Sequence, residues 1–156
     1  MAQNRRDAIR MGEAEVEAFI AARKSLQVGT IERDGSTHLS TLWFALVDGS
    51  IVFETYTKSQ KIRNLERDSR ITVLVEDGDA YENLRGVMIK GTARLVTDYD
   101  DVHPLALEVM KRNQPEIPEE LLAQAAEHMS RKRTAVIVDP INVVSWDHTK
   151  LGDFAP

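Results

Sequence analysis

Residues 51–67 read IVFETYTKSQKIRNLER, and the change of period inside this stretch decides the architecture. From Ile51 the side chains alternate, with Ile51, Phe53 and Thr55 on one side and Val52, Glu54 and Tyr56 on the other, which is a strand pattern. The alternation stops at Thr57. Ile62 and Leu65 then fall three apart among charged residues, the spacing of a short amphipathic helix. Thr57 and Ser59 both qualify as N-caps, and Thr57 with Gln60 has the spacing of a capping box. A strand therefore feeds directly into a helix N-terminus, with Lys58, Lys61 and Arg63 in or beside its first turn.

Cations in that place oppose the positive end of the helix dipole, which favours carboxylates. They fit if an anion joins them, held by free backbone N–H groups and the lysines together. A solvated basic helix face is the other reading, and the charge pattern leaves both open. Between Thr57 and Arg67 the chain carries Lys58, Lys61, Arg63 and Arg67 against Glu66 alone, although its formal net charge is −5. The overall acidity speaks against nucleic acid or an acidic membrane as a partner, so the local basic excess is the informative feature.

Working outward, residues 13–24 have the apolar spacing and Lys/Arg finish of an amphipathic helix. Residues 26–33 read as a strand, Asp34-Gly35 as a tight turn, 36–47 as a long second strand, Asp48-Gly49 as another turn and 50–57 as a third strand. The expectation is a three-stranded meander in which Ser40–Phe44 pairs beside Phe53–Thr57. Residues 70–76 and 84–97 add two strands, the second with Gly86 and Gly91 as bulge or bend positions. Residues 101–132 read as helix broken around Pro115–Pro118, and 134–138 and 142–146 as two strands hinged at Asp139-Pro140. About six or seven mostly antiparallel strands with glycine-kinked long members predict an α+β chain built on a small closed β-barrel.

The 156 residues are expected to form one domain, 1–156, with 42% hydrophobic and 29% charged content typical of a soluble protein. The segment MAQNRRDAIRMGEAE lacks the apolar core of a signal peptide and no apolar run approaches a membrane span, so a cytoplasmic protein is expected. There is no cysteine, which removes disulfides, thiolate metal sites and cysteine catalysis. His38, His103, His128 and His148 show no metal-ligand spacing and are expected to face solvent, so no metal site is predicted. Glu76, Asp77 and Asp79 cluster in a glycine turn, where solvated carboxylates are usual. No nucleophile elbow, Walker loop or dinucleotide fingerprint is present, and no side chain is marked as catalytic. Ser40, Thr41, Thr55 and Thr57 near Trp43 and Phe44 could instead border a flat heterocycle with a phosphate tail; the alternative is that the aromatics are core and the threonines simply suit strands.

The segments that carry a family likeness are Val28-Gly29-Thr30-Ile31 with Asp34-Gly35, the strand STLWF at 40–44, and the turn and helix at 57–65 with Lys61, Asn64 and Leu65. Gly86-Val87, Lys90-Gly91-Thr92-Ala93 and the ending Val144-Ser145-Trp146-Asp147-His148 with Lys150-Leu151 complete the set, from about Val16 to Leu151. In this order they resemble the flavin-binding split-barrel superfamily of pyridoxamine 5′-phosphate oxidase-like proteins, and within it the branch using the deazaflavin coenzyme F-420. The resemblance implies a six- to seven-stranded antiparallel split barrel with flanking helices. It also implies a homodimer with the cofactor in a groove at the interface, the second subunit contributing from Met88–Lys90 or Trp146. Lys61 would hold the phosphate, supported by Ser59, Gln60 and Arg63. Ser40, Thr41, Leu42 and Trp43 would lie along the ring, with Thr55, Thr57 and Lys58 nearby. The implied activity is hydride transfer from reduced F-420 to an unsaturated organic substrate. FMN-dependent chemistry, non-catalytic carriage of F-420, or haem held through His38 or His148 are the alternatives on the same barrel. The ending LGDFAP lacks the arginine-rich C-terminal segment of true pyridoxamine phosphate oxidases, and the phosphate motif R-x-x-x-L-K is absent, so that particular activity is not implied.

Overall fold

The structure is a computed structural model that describes residues 4–152. Its strands are β1 (Ser25–Ile31), β2 (Thr37–Trp43), β3 (Ala45–Val47), β4 (Ser50–Tyr56), β5 (Arg70–Asp77), β6 (Arg85–Val96) and β7 (Arg133–Asp147). They form one antiparallel sheet in the order β2-β1-β5-β6-β7-β4-β3. The two strands at the ends of that order, β2 and β3, are separated in the chain by Phe44 alone, so the sheet has to curl until its ends meet. The result is the expected split barrel. Its flanking helices are α1 (Arg5–Ala8), α2 (Glu13–Ala21), α3 (Gln60–Arg67), α4 (Tyr99–Asn113) and α5 (Glu119–Ser130). None of them is long and apolar enough to cross a membrane.

The barrel interior is filled from every wall, by Leu26 and Val28 of β1, Phe53 of β4, Val73 and Val75 of β5, Val87 of β6 and Val136 of β7, with Phe19 of α2 and Ile62 and Leu65 of α3 closing it. Strand β4 departs from simple alternation, because Val52 is as buried as Phe53. The helical hairpin α4–α5 packs on its outer face and has a small core of its own around Met110, Leu122 and Ala126.

Two expectations need correction. The predicted long strand 36–47 breaks at Phe44, and the meander does not form: Ser40–Trp43 pair with Ser25–Val28, while β4 pairs with β3 and β7. The physical reason lies at Phe44, which turns inward and is fully buried. Its N–H donates to the Lys24 carbonyl at 3.2 Å, its own carbonyl accepts from Asn113 Nδ2 at 3.2 Å, and the Arg112 guanidinium lies 4.8 Å from its ring centre. Second, the predicted hinge at Asp139-Pro140 is a bulge within one continuous strand, β7, where the register against β6 shifts between Lys90 and Gly91.

Gly86 and Gly91 answer two separate steric demands. A methyl group on Gly91 would overlap the Asp139 carbonyl at the bulge, and one on Gly86 would overlap the Trp146 ring. Gly86→Ala should therefore displace Trp146 and cost about 1–3 kcal/mol, the usual range for overpacking. Urea unfolding followed by tryptophan fluorescence measures both effects, and an unchanged midpoint would show that the ring moves aside freely.

Candidate functional site

The barrel fails to close by hydrogen bonds along one line. Strand β3 leaves β4 at Val52, so Phe53–Tyr56 have β7 on one side and no strand on the other. Strand β2 is likewise an edge, paired only with β1. The Phe44 N–H bond to Lys24 fixes the parity of the ladder. In an antiparallel pair alternate residues direct their N–H and C=O groups to opposite sides, so those of Leu39, Thr41 and Trp43 point away from β1. Edge backbone of this kind asks for a partner. Beside it Ser40 buries its hydroxyl oxygen without any hydrogen bond, Leu42 packs on the core and Trp43 remains 49% exposed. Thr41, Leu42 and Trp43 wall a cavity of about 410 Å³ with Ser25, Glu54, Met129 and Arg133.

At the end of β4 the chain turns into α3. Ser59, not Thr57, is the N-cap, in extended backbone with φ −69° and ψ 155°. Its hydroxyl oxygen makes no capping bond and is buried without a partner. The Thr57 hydroxyl is instead paired with that of Thr134 at 3.0 Å, so the Thr57–Gln60 capping box is not formed. The first N–H groups of a helix have no intrahelical acceptor, and here they open beside a groove of about 870 Å³. Thr57, Lys58, Gln60, Arg63 and Arg67 line it from the turn and helix, and Glu32 and Arg33 from the β1–β2 connection, with Glu66 beside them.

Lys61 lines neither space itself; it follows Gln60 of the basic groove in α3 and feels the charge of Arg133 in the wall of the Trp43 cavity. It is half-buried, its Nζ donates to Thr55 Oγ1 at 3.3 Å, and among the described residues it forms no ion pair. Its proton affinity is held below the ordinary lysine value, chiefly by desolvation and then by the charge of Arg133. Arg133 is neutralised by Glu54: Nη1 lies 2.7 Å from Oε2, with the two side chains 18% and 9% exposed. The same guanidinium sits 4.4 Å from the Tyr56 ring centre, and its Nε is buried without a partner.

The candidate residues thus divide. Thr41, Leu42 and Trp43 belong to the Trp43 cavity, and Thr57, Lys58, Gln60 and Arg63 to the basic groove. Lys61 and Thr55 bond to each other, while Ser40 and Ser59 contribute orphaned hydroxyls. Glu54 and Arg133 escaped the sequence reading because their pairing crosses 79 positions; the one available signal was a glutamate where a β4 side chain should be apolar. His128 is exposed as expected, and the other three histidines are less so. His38 is half-buried with an unpartnered Nδ1, and His148 directs Nδ1 to the Tyr81 carbonyl at 2.6 Å. Among the described residues no three His, Cys, Asp or Glu side chains group as metal ligands.

The lowered proton affinity of Lys61 has a stability consequence. The folded state binds this proton less readily than the unfolded chain, so its contribution to stability rises with pH from the depressed folded value towards the ordinary 10.5. Lys61→Met should remove that rise and leave the ligand-free protein at least as stable at neutral pH, because an unpaired, partly desolvated charge is lost. Urea midpoints of both proteins at a series of alkaline pH values test this, and parallel pH curves would contradict it.

The comparisons with known proteins follow the same outline. No curated protein sequence matches the chain. Among solved structures, a conserved hypothetical protein from Mycobacterium tuberculosis, Rv2991, superposes with a TM-score of 0.88 at 37% identity over 99% of this chain and 96% of that one. An F-420 reductase gives a TM-score of 0.65 at 21% identity, covering 81% of this chain and 94% of that one. HutZ, the haem storage protein of Vibrio cholerae, gives 0.65 at 18% identity over 85% of this chain and 94% of that one, so the same fold serves proteins with different roles. The family model for pyridoxamine 5′-phosphate oxidase matches residues 13–147, and the chain belongs to that family of split-barrel proteins.

Proposed function

We propose that the chain, as one split-barrel domain over residues 1–156, is a cytoplasmic homodimeric oxidoreductase that binds reduced coenzyme F-420 and reduces an unsaturated organic substrate. The observation that carries this reading is the half-buried Lys61 ammonium, which has a hydroxyl for company and no carboxylate, beside a helix start whose cap hydroxyl is unpartnered. A phosphate would supply acceptors for Lys61, for Ser59 and for the first N–H groups of α3 together. The unpaired edge of β2 and the orphaned Ser40 hydroxyl suit the polar rim of a planar ring, and Trp43 suits its face.

When bound, the coenzyme supplies hydride chemistry. The chain's part is to hold and orient. Ser40, Thr41, Leu42 and Trp43 border the ring, Thr55 and Thr57 stand at its end, and Ser59, Gln60 and Lys61 hold the phosphate. Lys58, Arg63, Arg67 and Arg33 offer further cations outward along the groove. These four cations outnumber the two carboxylates of the groove, Glu32 and Glu66, and the excess favours F-420, with a phosphate and a polyglutamate tail, over FMN, with its single phosphate. A homodimer is supported by the second half of β7, which is paired to β6 alone and exposes Ile141 at 76%, Val143 at 48% and Val144 at 41%.

The test is a fluorescence titration of the purified protein with F-420 and, separately, with FMN. Tight F-420 binding with weak FMN binding is expected, and Lys61→Ala should weaken it about 10- to 100-fold, the worth of a charged hydrogen bond. The reverse preference would make the protein an FMN oxidoreductase. Tight F-420 binding without turnover on a panel of enones and quinones would make it a carrier, and binding of neither cofactor would refute the reading.

A further inference from the structure

Asn64 is the most deeply buried polar side chain of α3, with no exposure at all, and it lines neither cavity itself. Its Nδ2 donates to Thr30 Oγ1 of β1 at 3.1 Å, and Thr30 is itself 1% exposed. Its Oδ1 accepts from Gln60 Nε2 at 2.9 Å and from Arg67 Nη2 at 3.5 Å. Gln60 and Arg67 both line the basic groove. The orientation of the Asn64 amide follows from its partners: the Arg67 guanidinium has only donors, so the oxygen must face it. The Gln60 amide is then fixed as well, its nitrogen towards Asn64. That nitrogen carries a second N–H, which has no acceptor among the described residues, and Gln60 lines the groove. Without Asn64 the Gln60 amide is free to turn over and present its oxygen, which repels an anion.

We propose that Asn64 is a positioning residue for the anion site. It ties Gln60 to the barrel wall through Thr30, so that the first residue of α3 meets an incoming phosphate with a donor. This rests on the anion-site reading given above. A purely structural tie between α3 and β1 would lower stability and leave the affinity of the folded protein alone; a positioning residue couples to Gln60 in binding.

The experiment is a double-mutant cycle on the full chain, with dissociation constants for F-420 and FMN and thermal midpoints measured for every variant. Asn64→Ala should weaken binding of the preferred cofactor about fivefold in the wild-type background and less than twofold in Gln60→Ala, the size of coupling expected for groups in direct contact. Equal losses in both backgrounds, or a lowered midpoint with unchanged affinity, would overturn the positioning role and leave the anion site standing. If the wild type binds neither cofactor, both proposals fall. Should Asn64→Ala not fold, Thr30→Val makes the same test, since it removes the hydroxyl that anchors the amide and nearly preserves volume. The same non-additivity with Gln60→Ala is expected from it, and additive losses would overturn the proposal.

Discussion

Asn113, at the end of α4, donates its amide to the carbonyl of Phe44, and the neighbouring Arg112 lays its guanidinium over the same ring. Arg112 also donates to the carbonyls of Ile20, Ala21 and Arg23 where α2 ends. One pair of adjacent side chains thus fixes the residue at which the chain leaves one end of the sheet and enters the other. Because the crossing is made there, β2 and the far half of β4 are held close without being laced together. The unlaced line is the place where the candidate residues collect.

Electrostatics along that line are arranged by omission. Glu54 satisfies Arg133, Glu15 takes Lys150, and Asp77 takes both Arg23 and Arg85. Among the described residues Lys61 receives no such partner, although the chain as a whole has more acids than bases. A partly desolvated cation without a counter-ion costs stability, and a ligand that supplies the missing charge recovers it. The ordinary solvated-face reading of the basic helix accounts for Arg63, which is exposed, and does not account for Lys61, which points back to Thr55.

Much of this was legible in residues 51–67, because a change of period and a surplus of lysine at a helix start are both local properties. Most of the strands, the kink at Gly91 and the break between α4 and α5 were readable for the same reason, while the split at Phe44 and the continuity of β7 were not. Nor was the order of the strands. Asp-Gly turns announce hairpins, and both hairpins exist, yet nothing near Phe44 in the chain tells of Asn113, which lies 69 positions away. The partition of the site into a Trp43 cavity and a basic groove, with Glu54 and Arg133 in one wall, depends on the pairing of Tyr56 with Arg133 across the β4–β7 ladder. Likeness to a family implied an anion role for Lys61, which stands as a proposal; the network through Asn64 and Thr30 could come only from coordinates.

The twelve-residue strand β6 and the fifteen-residue β7 make the longest ladder of the protein, and the whole of α4–α5 lies between them in the chain. Joining two strands across a floppy connection of that length would carry a large loop-closure entropy. The helical hairpin has its own apolar seam and its contacts are local, so it can form early and draw the ends of the connection together. The segment that shields the outer face of β4 thereby also shortens the effective connection that the β6–β7 ladder has to close. The bulge between Lys90 and Gly91 separates two stretches of that ladder with different register.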